Sequence, residues 1–183
     1  MKTKVRSKRR DEDPRRELTR HWRMAMAQGS VGPGTTVRFS RTFVHRDVEA
    51  FGHITRDYNP IHYEPRFVQK KGFRSLVCHG LLVGSMICEP GGQWAWLASG
   101  MSFRFLKPVY VNDTITCEMT ITKVDDRGKA VAHAEFRNQE GQLVLEAELT
   151  GLLPSEEERQ LLRTMIREGD PTNPLGGGSS RRG

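Results

Sequence analysis

Leu81-Leu82-Val83-Gly84-Ser85-Met86-Ile87-Cys88 is the stretch that decides the fold. Wound as a helix, it has no charged residue on any face. A helix apolar all round is either buried on every side or crosses a membrane. This one is far shorter than the ~18 apolar residues a span requires. It therefore reads as a short helix through the middle of a domain, wrapped by the segments C-terminal to it.

The downstream sequence supplies the wrapping. Residues 114–124 alternate, with Ile115, Cys117, Met119 and Ile121 opposite Thr116, Glu118, Thr120 and Thr122, the two-residue period of a half-buried strand. Asp125-Asp126-Arg127-Gly128 reads as a turn. Residues 129–137 then repeat the pattern with Ala130, Ala132, Ala134 and Phe136 on one face. Asn138-Gln139-Glu140-Gly141 turns again, and 143–152 sets Leu143, Leu145, Ala147 and Leu149 inward. Residues 100–106, ahead of the bend at Lys107-Pro108, make a fourth strand. An apolar helix with four antiparallel strands after it implies an α+β fold, a strongly curved antiparallel sheet around a central helix.

Upstream, residues 14–28 open on Pro14 and stop at Gly29, with Leu18, Trp22 and Met26 about a turn apart, which predicts a short helix. A Gly/Pro break at 30–34 follows. Residues 36–43, with Val37, Phe39 and Arg41 on one face, read as a first strand. Asp47 is placed to cap a short helix carrying Val48, Phe51 and Ile54, and Asn59-Pro60 interrupts it. Beyond Pro154, Ser155-Glu156-Glu157-Glu158 is a capping box, followed by Leu161, Leu162, Met165 and Ile166 at helical spacing. That stripe must be buried against its own domain or a partner subunit. The expected organisation is a basic extension with a short helix over 1–30, one compact domain over 31–153, an amphipathic helix over 154–170 and a disordered tail over 171–183.

Composition agrees. Only 36% of the 183 residues are hydrophobic, and the shortfall sits in the first and last thirty or so. Cys78, Cys88 and Cys117 form neither a CxxC nor a His-x-Cys cluster, which favours reduced thiols over a disulfide framework or zinc site. No apolar run is long enough for a membrane span, and a secretory signal is not expected. The net charge of +7 owes much to Lys2, Lys4, Arg6, Lys8, Arg9 and Arg10. An organelle transit peptide is acid-poor, yet Asp11, Glu12, Asp13 and Glu17 follow at once. A nucleic-acid arm lacks interleaved aromatics or a recognised binding fold. The arm reads as a solvated tail, no nucleic-acid partner is expected, and the compartment is cytoplasmic by default with mitochondrial import as the alternative.

The chemistry concentrates in Asp57-Tyr58-Asn59-Pro60-Ile61-His62 and, shortly after, Cys78-His79-Gly80-Leu81-Leu82. Asp57 and His62 would not share a face of an unbroken helix, but a turn at Asn59-Pro60 lets both side chains converge. A carboxylate beside an imidazole is a workable acid/base pair near neutral pH, each tuning the other's pKa. Gly80 opens the apolar helix, where free N–H groups and the positive end of the helix dipole favour a developing oxyanion. An Asp-x-Asn-Pro is also a common turn in its own right, and the residues alone leave both readings open. His79 reads as a packed structural histidine.

The stretch from Phe51 to Cys88 resembles the signature of the MaoC-like, or type 2 (R)-specific enoyl-CoA hydratase, family. It carries Asp57-x-Asn59-Pro60-Ile61-His62, a spacer, then Val77-x-His79-Gly80-Leu81-Leu82. Met101 to Asp113 is similar to the family's following strand and bend, and the likeness extends over about 35–153. The resemblance implies the hot-dog fold, a curved sheet around a central helix. It implies that Asp57 and His62 are the catalytic pair, Gly80 the oxyanion amide, and Asn59 a substrate-site residue that steadies the loop. Ser85 and Cys88 would lie where the family lines its acyl tunnel. One departure is visible, Arg56 standing where the family commonly has Gly.

The implied reaction is reversible hydration of trans-2-enoyl thioesters to (R)-3-hydroxyacyl thioesters, with no metal or redox cofactor. The alternative is a 3-hydroxyacyl-acyl-carrier-protein dehydratase, in which the same residues serve. A hot-dog thioesterase would keep its carboxylate elsewhere, and a non-catalytic acyl-binding module would need no acid/base pair. The expected partners are an acyl-CoA or acyl-carrier-protein thioester and, because hot-dog sheets expose edges, a second copy in a homodimer.

Overall fold

The alternation of hydrophobic and polar residues becomes five antiparallel strands in a computed structural model, which describes residues 14–170, 172 and 173. The strands are β1 (Thr36–Thr42), β2 (Leu97–Phe105), β3 (Thr114–Val124), β4 (Lys129–Arg137) and β5 (Leu143–Leu152). They lie in the order β1-β3-β4-β5-β2. The chain thus makes one edge, crosses through its helices to make the other, and fills the middle with the β3–β4–β5 meander. All but one of the expected inward residues are inward: Ile115, Cys117, Met119, Ile121, Ala130, Ala132, Ala134 and Phe136 have no solvent exposure, and Leu145, Ala147 and Leu149 have almost none. Leu143 is only half-buried, because the register shifts at Phe136/Arg137 and Val144 is buried instead. The small alanines of β4 let the sheet curve closely over the helix it holds.

The described residues also form six α-helices: α1 (Pro14–Ala27), α2 (His45–Thr55), α3 (Pro65–Lys70), α4 (Gly80–Gly84), α5 (Cys88–Gln93) and α6 (Glu156–Arg167). The expected apolar helix is α4, and it does not stop at Cys88. A 3-10 turn, Ser85–Ile87, joins it to α5, so the helical run reaches Gln93 through Pro90-Gly91-Gly92. Pro90 is tolerated because it sits in the first turn of α5, where its missing N–H and fixed φ cost little. Leu82, Val83, Met86 and Ile87 are buried, but Leu81 is 56% exposed and the Cys88 side of the run meets solvent. Burial on every side is therefore corrected to burial on the sheet side and both flanks.

Two further expectations change in detail. Asp47 is not the N-cap of α2 but its third residue, and its carboxylate accepts the Val44 N–H at 3.0 Å. Val48 is buried from that helix, whereas Ile54 is exposed. The C-terminal helix buries most of its stripe against its own domain: Leu162 is buried, Met165 and Ile166 pack on the core, and Arg163 donates to the Ala27 carbonyl of α1, whereas Leu161 stays exposed. Its capping box forms as written, with Ser155 N–H on Glu158 Oε2 at 2.7 Å and Glu158 N–H on Ser155 Oγ at 3.3 Å.

The far end of the helical run is closed by polar groups. Arg23 of α1 is buried, donates to the Gly92 carbonyl at 3.1 Å and pairs with Asp170 at 3.6 Å. Gln93 and Asn173, both buried, exchange two side-chain hydrogen bonds of 3.2 and 2.8 Å. Asn173 belongs to the stretch expected to be disordered, so that boundary moves outward: a buried, doubly bonded amide is an anchored residue. The basic arm of residues 1–13 and the end at 174–183 lie outside the described residues.

Candidate active site

Local backbone chemistry brings Asp57 and His62 together. Helix α2 ends at Arg56, in the left-handed conformation at φ 60° and ψ 24°. Glycine adopts that conformation most readily, which gives a physical reason why Gly is the common residue where this chain has Arg56. Asp57 Oδ1 then accepts the Asn59 N–H at 3.2 Å, and Asn59 Oδ1 accepts the Ile61 N–H at 3.2 Å. These successive Asx turns, with Pro60 opening the 3-10 turn Pro60–His62, coil the intervening residues. The result is a separation of 3.8 Å between Asp57 Oδ2 and His62 Nε2.

The environment of the two groups differs. The Asp57 side chain is half exposed and that of His62 is 9% exposed. His62 Nδ1–H donates to the Val77 carbonyl at 2.6 Å, an assignment that follows from the acceptor-only carbonyl. The neutral ring then presents its Nε2 lone pair toward Asp57. Burial lowers the His62 pKa below 6.5, and the neighbouring His79 adds to that effect, while the Val77 bond and Asp57 oppose it. The imidazole is therefore neutral at physiological pH and able to accept a proton.

His79 is buried from solvent and lies in the wall of the cleft. Its ring stacks on His62 with centroids 3.7 Å apart, and its Nε2–H donates to the Asp57 backbone carbonyl at 3.0 Å. Its Nδ1 is buried with no hydrogen-bond partner among the described residues. It fixes the main chain of one member of the pair and the ring plane of the other. Sequence reading anticipated a structural histidine but not these contacts. It also missed Tyr63, whose hydroxyl donates to the Asp57 and Val48 carbonyls at 3.3 and 3.4 Å.

Gly80 is the first residue of α4, so its N–H has no acceptor within the helix. A Cβ there would stand 2.6 Å from Phe105 Cε1, so only glycine lets that ring lie over the helix start. The cleft around these groups has a volume of about 570 Å³, with Asp57, Asn59, His62 and Gly80 on its walls among apolar side chains such as Val83 and Leu145. Phe105 and Lys107 also line it. The sequence placed Phe105 within the fourth strand, but not over the start of the helix.

Ser85 and Cys88 are not brought into this cleft. Ser85 Oγ donates to the Leu82 carbonyl at 2.6 Å, within its own helical run. Cys88 is exposed and opens on a second, smaller pocket of about 210 Å³. The other two thiols are buried, and desolvation pushes both up to about 12. Asp57, His62 and His79 each offer a ligand atom within 4.8 Å of the others, so the fold assembles one cluster able in principle to hold a metal that sequence spacing did not show. Two of its ring nitrogens are already committed to backbone carbonyls.

The profile of the MaoC like domain matches residues 28–141. The chain is 29% identical over 136 residues to the (R)-specific enoyl-CoA hydratase of Aeromonas caviae, covering 70% of this chain and 100% of that protein. It is 29% identical over 132 residues to the mitochondrial 3-hydroxyacyl-[acyl-carrier-protein] dehydratase of Arabidopsis thaliana, covering 67% of this chain and 77% of that protein. The solved (R)-hydratase from A. caviae involved in PHA biosynthesis superposes with a TM-score of 0.65 at 30% identity, over 68% of this chain and 98% of that one. Helices α1 and α6 lie outside the profile match. Sequence profile, relatives and superposition converge with the helix-in-sheet architecture: the chain belongs to the MaoC-like family of hot-dog hydro-lyases.

Proposed function

We propose that the protein reversibly hydrates trans-2-enoyl thioesters to (R)-3-hydroxyacyl thioesters, with Asp57 and His62 as the acid/base pair and the Gly80 amide as the oxyanion donor. The observation that carries this reading is the facing of Asp57 Oδ2 and His62 Nε2 across 3.8 Å, in a cleft that Gly80 also lines. That gap is too long for a direct hydrogen bond, and a water molecule bonded to both groups bridges it. Neutral His62 and Asp57 draw a proton from that water as its oxygen bonds to C3. The electron pair of the double bond moves to the thioester oxygen, where the Gly80 N–H and the helix dipole stabilise the enolate. The proton returns to C2 as the carbonyl re-forms, so the elements of one water are added. The reverse sequence expels water from a 3-hydroxyacyl thioester.

The Arabidopsis relative is a reason to test acyl-carrier-protein substrates as well, since it is as similar as the hydratase. The β2 edge exposes Leu97, Met101 and Phe105 beside Leu81 and Leu106, and an apolar sheet edge of that kind calls for a covering partner. A homodimer is the proposed assembly, and a monomer on sedimentation would count against it. Among the described residues no helix is long and apolar enough to cross a membrane. The compartment proposed remains cytoplasmic, with mitochondrial import as the alternative.

The deciding experiment follows the loss of absorbance of the conjugated thioester during hydration of trans-2-enoyl-CoA, for the wild type beside Asp57→Asn and His62→Gln. The expected result is activity in the wild type and a loss of about two orders of magnitude or more in each variant. A folded wild type inactive on both coenzyme A and carrier-protein substrates would overturn the reading.

A further inference from the structure

The cleft and the smaller pocket are lined by successive residues of the β2–β5 pair and of the central helical run, and the residues between them line neither. In the β2–β5 register Phe105 faces Leu145, Phe103 faces Ala147 and Met101 faces Leu149. These residues alternate along one face of each strand. Leu145 and Phe105 line the cleft with Val83 of the helical run, while Leu149 and Met101 line the smaller pocket with Ile87 and Cys88. The middle pair, Phe103 and Ala147, lines neither, and neither does Gly84, the helix residue between Val83 and Ile87. Gly84 is where the ring rests: a Cβ there would stand 2.9 Å from Phe103 Cε1. Phe103 also lies parallel to Phe105, with centroids 6.3 Å apart and planes at 14°. Each ring covers one glycine of the same helix, Phe105 over Gly80 and Phe103 over Gly84.

We propose that Phe103 is the specificity-determining residue of this enzyme: packed on Gly84, it ends the acyl site and restricts the substrate to short-chain enoyl thioesters. The limit rests on the proposed hydration reaction, which fixes the thioester oxygen at Gly80. From Gly80 to Gly84 is one helical turn, about 6 Å along the axis. A four-carbon acyl group fits within that distance, and an eight-carbon one overruns it. The apolar ground ahead of a longer tail is the second pocket, of about 210 Å³ and walled by Ile87, Met101, Met119 and Leu149. It takes no part in short-chain chemistry because the ring of Phe103 bars the way. A hydrophobic wall discriminates by size at about ten- to two-hundred-fold for each methylene refused or left unfilled, so one ring suffices to set a chain-length limit.

The test compares kcat/KM for trans-2-butenoyl-CoA and trans-2-octenoyl-CoA in the full-length wild type, Phe103→Ala, Phe103→Leu and the double variant Phe103→Ala/Met101→Trp. The wild type is expected to favour the four-carbon substrate by tenfold or more. Phe103→Ala should raise the eight- to four-carbon ratio by at least tenfold, and Phe103→Leu by less. The double variant, which refills the second pocket from its other wall, should return the ratio toward the wild-type value. Phe103→Leu keeps most of the packing and carries the test if the alanine variant does not fold. A wild type that handles both lengths alike, or a ratio unmoved in a folded Phe103 variant, overturns the gate while leaving hydration standing. A folded wild type inactive on both lengths and on carrier-protein substrates overturns the reaction itself and the gate with it.

Discussion

The two ends of the central helical run are opposites. At Gly80 the run opens on a cleft, a half-exposed carboxylate, an imidazole held neutral by burial, and a helix amide with no internal acceptor. At Gln93 it ends under α1 and the C-terminal segment, with Arg23, Gln93, Asp170 and Asn173 buried and bonded to one another or to the backbone. Both ends are polar. The difference is that, Arg23 Nε apart, one end satisfies its groups internally, whereas the other presents them to a cleft. Buried polar groups that find partners specify and rigidify a fold, whereas those left open are where chemistry is done. Variants at the two ends should therefore separate activity from stability.

The largest effect expected beyond the acid/base pair is at Gly80. Gly80→Ala drives a methyl into the Phe105 ring and displaces the helix start, so kcat should fall about a hundredfold, as when an oxyanion donor is lost. Calorimetry should show destabilisation of about 1–3 kcal/mol from overpacking. At the closed end the pattern reverses. Gln93→Ala leaves the Asn173 amide buried and unpaired, at about 1–3 kcal/mol, with turnover unchanged below the melting transition. Equal losses of turnover at both ends would break the comparison.

The pH dependence sharpens it. His62 has its pKa lowered in the fold, chiefly by burial. The folded protein therefore binds fewer protons than the unfolded chain between the lowered value and 6.5, and stability from this group falls as pH drops through that window. Activity should be lost on the acid side with a midpoint below 6.5, and His62→Gln should remove that limb from any residual rate. A midpoint above 6.5 would contradict the buried, neutral ring. The smallest effect is at Arg56, where glycine relieves a left-handed backbone. Arg56→Gly should change stability by no more than about 1 kcal/mol, since relief of strain is partly offset by unfolded-state entropy. Chemical denaturation would detect a change of that size.

Much of this was legible in the residues. The faces of β3 and β4, and of β5 from Leu145 on, could be read because they alternate there, and the observed registers keep Cys117 opposite Phe136 and Ala134 opposite Ala147 on the covered side. The start of β5 could not, since Val144 and Leu145 are buried side by side beyond a register shift. The convergence of Asp57 and His62 was legible because Asn59-Pro60 dictates a local turn. What escaped reading depended on tertiary contacts. Pro90-Gly91-Gly92 consists of poor helix formers, and its place in α5 goes with the packing of α5 on α1, where Pro90 and Gln93 are buried. Arg23 looks like a solvated charge until Asp170 and the Gly92 carbonyl close on it. His79 carries no local sign that its Nε2 would reach the Asp57 carbonyl, because that contact joins two segments brought side by side by tertiary bonds, the Val77 N–H on the Ile61 carbonyl and the His62 ring on the Val77 carbonyl.

The unequal burial of the three cysteines makes the molecule selectively addressable. Alkylating reagents act on thiolates, and the Cys78 and Cys117 thiols, pushed up to about 12, hold almost none at neutral pH. Cys88 alone of the three meets solvent, and it does so on the wall of the second pocket. A small fluorophore attached there without mutagenesis would sit beyond the Phe103 ring. It would turn the arrival of an acyl tail at that ring into an optical signal, independent of turnover.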